Sequence, residues 1–124
     1  MVLTGDIGFV LDLAYDRERV RAPDVAFVST SRLPGGKLPC GFLHGAPDLV
    51  VEILSPSDTP ADVQQKVHDW LEGGARLVWW VVPDTRSVTV YRPDGSARLV
   101  REGEVLDGED VLPGFTSPVS DIFA

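Results

Sequence analysis

The stretch Leu49-Val50-Val51-Glu52-Ile53-Leu54 decides how the rest of the chain is read. It is short, β-branched and almost wholly apolar, entered from Ala46-Pro47 and left through Ser55-Pro56-Ser57. Such a run reads as a central strand buried on both faces. Glu52 is the exception within it. An ionised carboxylate there is costly to desolvate unless a cation, a metal ion or several hydrogen bonds accompany it. The residues alone leave a second reading open, an edge strand whose Glu52 side faces water.

Working outward, Ser57-Asp58-Thr59-Pro60 has the form of a helix start, with Ser57 or Asp58 as the cap and Pro60 in the first turn. Val63, Val67, Trp70 and Leu71 then recur at the spacing of an amphipathic helix, and Gly73-Gly74 ends it. Leu77 to Val82 reads as a second buried strand, stopped by Pro83, with one indole of Trp79-Trp80 on each face. Turn signals at Asp84-Thr85-Arg86 and Pro93-Asp94-Gly95 separate strands over Ser87 to Arg92 and Arg98 to Arg101. On the N-terminal side, Gly8 to Ala14 and Val20 to Pro23 form a hairpin, and Asp24 to Ser29 a further strand. Thr30 to Pro47 reads as a long loop, and Asp110 to Ala124 as loop with one short helix within Ser117 to Phe123. The order predicts an α/β (α+β) fold, a central mixed sheet of four to five strands flanked by helices.

A chain of 124 residues makes one domain, 1–124. No apolar stretch approaches the ~18 residues of a membrane span, and no basic-then-apolar leader opens the chain, so a cytoplasmic location is the default. Its single cysteine, Cys40, excludes an internal disulfide and a cysteine-based zinc site, and reads as a loop or core residue. The net charge of −8 works against tight non-specific binding to nucleic acid, but leaves room for a small acidic pocket that handles phosphate through a metal. Arg17, Arg19 and Arg21 alternate and could form a basic strip, although an ordinary solvated hairpin accounts for them more simply.

Asp24 starts a strand, Glu52 sits within one, and Lys66 falls at the edge of the helix's apolar face, where its stem can lie on the core while its ammonium reaches sideways. A helix packed beside the Glu52 strand would bring the three together. Two carboxylates and an ammonium suit metal-dependent phosphodiester hydrolysis: hard oxygen ligands hold Mg²⁺ or Mn²⁺, and the lysine orients water or offsets developing charge. Each residue also has a plainer account. Lys66 lies four after Asp62, the spacing of a surface ion pair. Asp24 can simply begin its strand, and Asp48 can organise the start of the next, although it shares the Glu52 face and could reach a metal through water. His44 and His68 have no partner at ligand spacing.

The segments Ala22-Pro23-Asp24-Val25-Ala26-Phe27-Val28 and Gly45 to Ser57 resemble the putative restriction endonuclease family of the PD-(D/E)XK nuclease superfamily. The similarity continues through Asp62 to Val67, Trp70 to Gly74, Trp80 to Pro83 and Val88 to Arg92. The resemblance implies a restriction-endonuclease-like core, with DNA as substrate and Mg²⁺ or Mn²⁺ as cofactor. It implies Asp24, Glu52 and the Ile53 carbonyl as metal ligands and Lys66 as the residue that positions the attacking water. The superfamily's lysine position, two after the acid, is Leu54 here, and Lys66 matches its relocation to the helix. Members usually carry an N-terminal helix and hairpin with a further glutamate, upstream of where this sequence starts. Two function classes follow: a metal-dependent DNA endonuclease, or a catalytically inactive module of the same fold with a structural or protein-interaction role. Either can form a homodimer.

Overall fold

Glu52 lies on a central strand. In the computed structural model, which describes residues 1–5, 7–38 and 41–123, strand β6 (Leu49–Ile53) pairs antiparallel with β4 (Val25–Phe27) and parallel with β7 (Leu77–Val82). A parallel neighbour demands a crossover, and α1 (Pro60–Glu72) supplies it. Outside these lie β1 (Val2–Thr4) beyond β4, then β8 (Ser87–Tyr91) and β9 (Ala97–Val100) beyond β7, giving the order β1-β4-β6-β7-β8-β9. The sheet therefore has six strands among the described residues rather than the four to five expected, because the three residues of β1 add an edge too short to show a pattern. Cys40 lies outside the described residues.

Period-two alternation splits the core into two layers. On one face Val50, Val78 and Trp80 pack against Val67 and Trp70 of α1. On the other, Leu49, Trp79 and Val81 meet Leu106, Val111 and Val119 from the C-terminal segment. Both indoles are buried, one per face. The C-terminal segment is more ordered than a loop: β10 (Val105–Asp107) pairs with β11 (Thr116–Pro118), and α2 (Val119–Ile122) follows. These strands expose alternate residues and frame Pro113-Gly114, which hid them from a hydrophobicity pattern.

Helix α1 is capped one or two residues later than Ser57 or Asp58, the caps expected, while Pro60 takes the first-turn place expected of it. Thr59 is its cap: the Thr59 hydroxyl accepts from the Asp62 amide, and the Asp62 carboxylate accepts from the Thr59 amide, with Pro60 in the first turn. Asp62 is thereby occupied at the cap rather than paired with Lys66. Gly74 (φ 111°) makes the turn from the helix into β7, a conformation closed to residues with a side chain.

A second small sheet holds β2 (Phe9–Leu11) between β3 (Arg19–Arg21) and β5 (Leu43–His44), the last a short strand inside the region read as loop. Phe9 meets Trp70 edge-on at 6.1 Å between ring centroids. Asp69 of α1, with 0% exposure, is the polar pin of this contact. Its carboxylate accepts from Arg21 Nε (2.8 Å), Tyr15 Oη (2.7 and 2.8 Å) and Gln65 Nε2 (2.9 Å), and pairs with Arg21 Nη2 at 2.7 Å. Arg21 is thus an internal partner, not part of a solvated hairpin; the exposed Arg17–Asp12 pair does fit that reading.

Burial alone would raise the Asp69 pKa, but the bonds from Tyr15, Gln65 and Arg21, with Arg21's charge, outweigh it and hold it below the ordinary value. A depressed carboxylate stabilises the fold above its unfolded pKa, and that contribution is lost as pH falls through the folded value. Asp69→Ala should therefore cost about 3 kcal/mol or more in urea unfolding at pH 7, because it leaves Arg21 uncompensated. The loss should shrink as the pH falls into the acid range; an equal loss at every pH would exclude the charge as its cause.

Candidate functional site

The β4–β6 ladder ends at Val25 opposite Val51, which places Asp24 opposite Glu52. There the side chains take over from the ladder. The Asp24 amide donates to Glu52 Oε1 at 3.2 Å, and the Ile53 amide donates to Asp24 Oδ2 at 2.7 Å. Each acid is fixed by a main-chain group beside the other. Pro23, with its fixed φ, sets the approach of the chain to this position.

Glu52 is on the helix-facing side of β6, across from Trp80, and is only 8% exposed. Its Oε2 accepts a long bond from Trp70 Nε1 at 3.4 Å. Lys66 comes in from α1, its Nζ 3.6 Å from Asp58 Oδ1, and Asp58 Oδ2 in turn accepts from the Ser55 amide. Asp24, Glu52, Ile53, Asp58 and Lys66 line one open cleft of about 340 Å³, with Arg21 at its edge and Trp80 behind. The structure thus brings Asp24, Glu52, Ile53 and Lys66 together.

It does not bring Asp48 to them. Asp48 precedes β6 at its opposite end, about 13 Å along the strand from Glu52. There it accepts from the Ser29 amide at 2.8 Å and pairs with Arg32 at 3.2 Å, which organises the start of the strand. His44 is exposed on β5, and the exposed His68 sits 3.0 Å from Glu72 on α1; neither lines the cleft. Asp58 and Arg21 are cleft residues that the sequence reading did not single out. Asp58 looked like a cap, and Arg21 looked like one of the alternating arginines of a solvated hairpin.

Desolvation raises the Glu52 pKa above the ordinary glutamate value, and the charge of Asp24 adds to it. The bonds from Trp70 and the Asp24 amide and the charge of Lys66 offset this only in part. The cleft's charged lining is Asp24, Glu52 and Asp58 against Arg21 and Lys66, and Arg21 is already held by Asp69. Two adjacent carboxylates, one of them buried with an elevated pKa, form a set of hard oxygen donors short of positive charge. That set fits a divalent ion such as Mg²⁺, which typically takes one or two carboxylates and completes its shell with water. Among the described residues no group of three or more His, Cys, Asp or Glu side chains could hold a metal, so an ion there would draw its further ligands from main-chain or solvent oxygens.

A family model described as Uma2, putative restriction endonuclease, matches residues 1–120. Among solved structures, a putative nuclease belonging to DUF820 from Anabaena variabilis superposes with a TM-score of 0.83 at 21% identity. The match covers 98% of this chain and 66% of that one, so the chain spans just under two thirds of its neighbour's length. No curated protein matches. Among the described residues no helix is long and apolar enough to cross a membrane.

A carboxyl whose pKa is raised by folding favours the fold below its unfolded pKa, and that contribution is lost as pH rises through the folded value. Metal-free Glu52→Gln should therefore melt higher than the unsubstituted chain at pH 7. The difference should fade as the pH is lowered toward the ordinary glutamate range. A lower melting temperature at pH 7 would mean that the bonds Glu52 accepts outweigh its desolvation.

Proposed function

We propose that this chain, which belongs to the Uma2 putative restriction endonuclease family, is a metal-dependent endonuclease that hydrolyses phosphodiester bonds of DNA. The observation that carries the reading is the reciprocal Asp24–Glu52 clamp, with Lys66 facing the same cleft.

Asp24, Glu52 and the Ile53 carbonyl would hold Mg²⁺ or Mn²⁺. Such an ion, when bound, lowers the pKa of water and offsets charge on the phosphoryl oxygens. The protein contributes position. Asp24 Oδ2 and Glu52 Oε1 are fixed by main-chain amides, so both carboxylates are in place before a substrate arrives. Lys66, one-third exposed and only loosely paired with Asp58, can swing toward the cleft centre, orient the attacking water and donate to a non-bridging oxygen as charge builds there. Attack forms one P–O bond and breaks another. With Leu54 at the strand position, this ammonium is the cation left for that task, because Arg21 is held by Asp69.

The competing reading, an inactive module of the same fold, draws on the net charge of −8 and on the single pair of cleft-floor acids. Nicking of supercoiled plasmid in Mn²⁺ separates the two. Asp24→Asn, Glu52→Gln and Lys66→Ala should each lower the rate about 100-fold or more with folding intact, and a chelator should abolish it. Nicking that survives all three substitutions would come from a contaminant and remove the site assignment; no nicking by the unsubstituted chain favours the inactive module.

A further inference from the structure

We propose that Arg19 and Arg21 form a second phosphate site beside the cleft, which takes the phosphodiester next to the one at Asp24 and Glu52; this rests on the nuclease reading above. Strand β3 alternates, so Arg19 and Arg21 share one face with Val20 on the other. Arg21 lines the cleft and is immobilised from behind, with Nε and Nη2 both on Asp69 Oδ2 at 2.8 and 2.7 Å. Among the described residues its Nη1 has no hydrogen-bond partner.

Arg19 is the unexplained member. Its Nε is enclosed yet makes no hydrogen bond, and it forms no ion pair among the described residues. Asp69 pairs with Arg21, while Arg19 lies near Tyr15 with no carboxylate paired to it among the described residues, so one guanidinium charge on this strip is left without a partner. The enclosed Nε cannot reach an outside ligand, so the Nη groups, which make no hydrogen bond or ion pair among the described residues, would carry the contact to a phosphate oxygen. Along β3 the two arginines are roughly 7 Å apart, close to the spacing of neighbouring phosphates on one nucleic-acid strand. With Arg21 at the cleft, Arg19 falls at the adjacent phosphate. The strip would hold the backbone in register while Asp24, Glu52 and Lys66 act on the next linkage.

The test is binding of a labelled 20-base-pair duplex in Ca²⁺, over a series of salt concentrations, to the unsubstituted chain, Arg19→Gln and Arg19→Lys. Arg19→Gln should bind about tenfold more weakly, as expected for one lost charge-assisted contact. The slope of log affinity on log salt should drop by about 0.9. Arg19→Lys should restore the slope but only part of the affinity. The plasmid assay should show a raised KM with kcat retained. The melting temperature of Arg19→Gln should not fall, since Arg19 has no partner to lose; a purely structural arginine would lower it and leave binding alone.

Equal binding by Arg19→Gln overturns the proposal. If the unsubstituted chain neither nicks nor binds DNA, the nuclease reading fails, and stabilisation by inorganic pyrophosphate in a chelator then decides. A higher melting temperature for the unsubstituted chain but not for Arg19→Gln upholds an oxyanion site by itself, and no shift in either overturns it.

Discussion

The exchange of main-chain bonds between Asp24 and Glu52 is the constraint on which the site depends. A sheet that parts two strands leaves unpaired amides at the fork, and buried amides without partners are costly. Here the Asp24 amide is met by Glu52 and the Ile53 amide by Asp24. The same two bonds that satisfy the end of the ladder hold two carboxylates side by side facing a cleft. Neither acid can be removed without leaving a donor of the opposite strand unmet. Local folding and the chemistry of the site therefore use the same atoms.

Much of this was legible in the residues. The apolar run around Glu52, the helix spacing from Val63 to Leu71 and the Leu77 to Val82 run each follow a strong period, and each element is found where that period puts it. Glu52 stood out because its charge clashed with an apolar run, whereas Asp24, an ordinary strand start by its residues, stood out through the family resemblance. Elements of two or three residues, such as β1, β5, β10 and β11, were not legible, because so few residues cannot display a period and their pairing is set by distant partners. The helix cap was misplaced by one or two residues for a related reason: Ser57, Asp58 and Thr59 can all cap, and the choice fell to reciprocal bonding with Asp62. Asp69 was hidden because a charged residue on an otherwise exposed helix flank gives no sign that a hairpin, 48 residues away in sequence at Arg21, will cover it.

The placement of the lysine follows from packing. Leu54, two residues beyond Glu52, belongs to an apolar shelf with Val63, Trp80, Val82 and Tyr91. A lysine there would need to bury its stem among these groups and turn its ammonium back past Trp80. On α1, Lys66 lies at the boundary of the buried face, with Val67 inside and Gln65 outside. From that boundary its head reaches the cleft from the side. Asp58 then keeps the ammonium near the acids at a distance, 3.6 Å, that is too long for a tight bond. A weak hold suits a group that, in the proposed hydrolysis, would trade partners when a phosphate arrives.

The overall acidity of the chain and a polyanionic substrate are compatible if charge is read locally. Surface carboxylates more than a Debye length, about 8 Å, from the cleft are largely screened at physiological salt. The close neighbours of Asp24 and Glu52 include Lys66 and Arg21, and the negative charge they leave uncompensated lies where a divalent ion would sit. The net charge still sets a limit on affinity. A chain at −8 gains little from long-range attraction to nucleic acid, so under the proposed function contact would rest on a few placed cations and on a metal held in the cleft. A nuclease of the proposed kind should depend more steeply on divalent ions than a basic one does, because the ion would supply both ligand geometry and most of the attraction for phosphate.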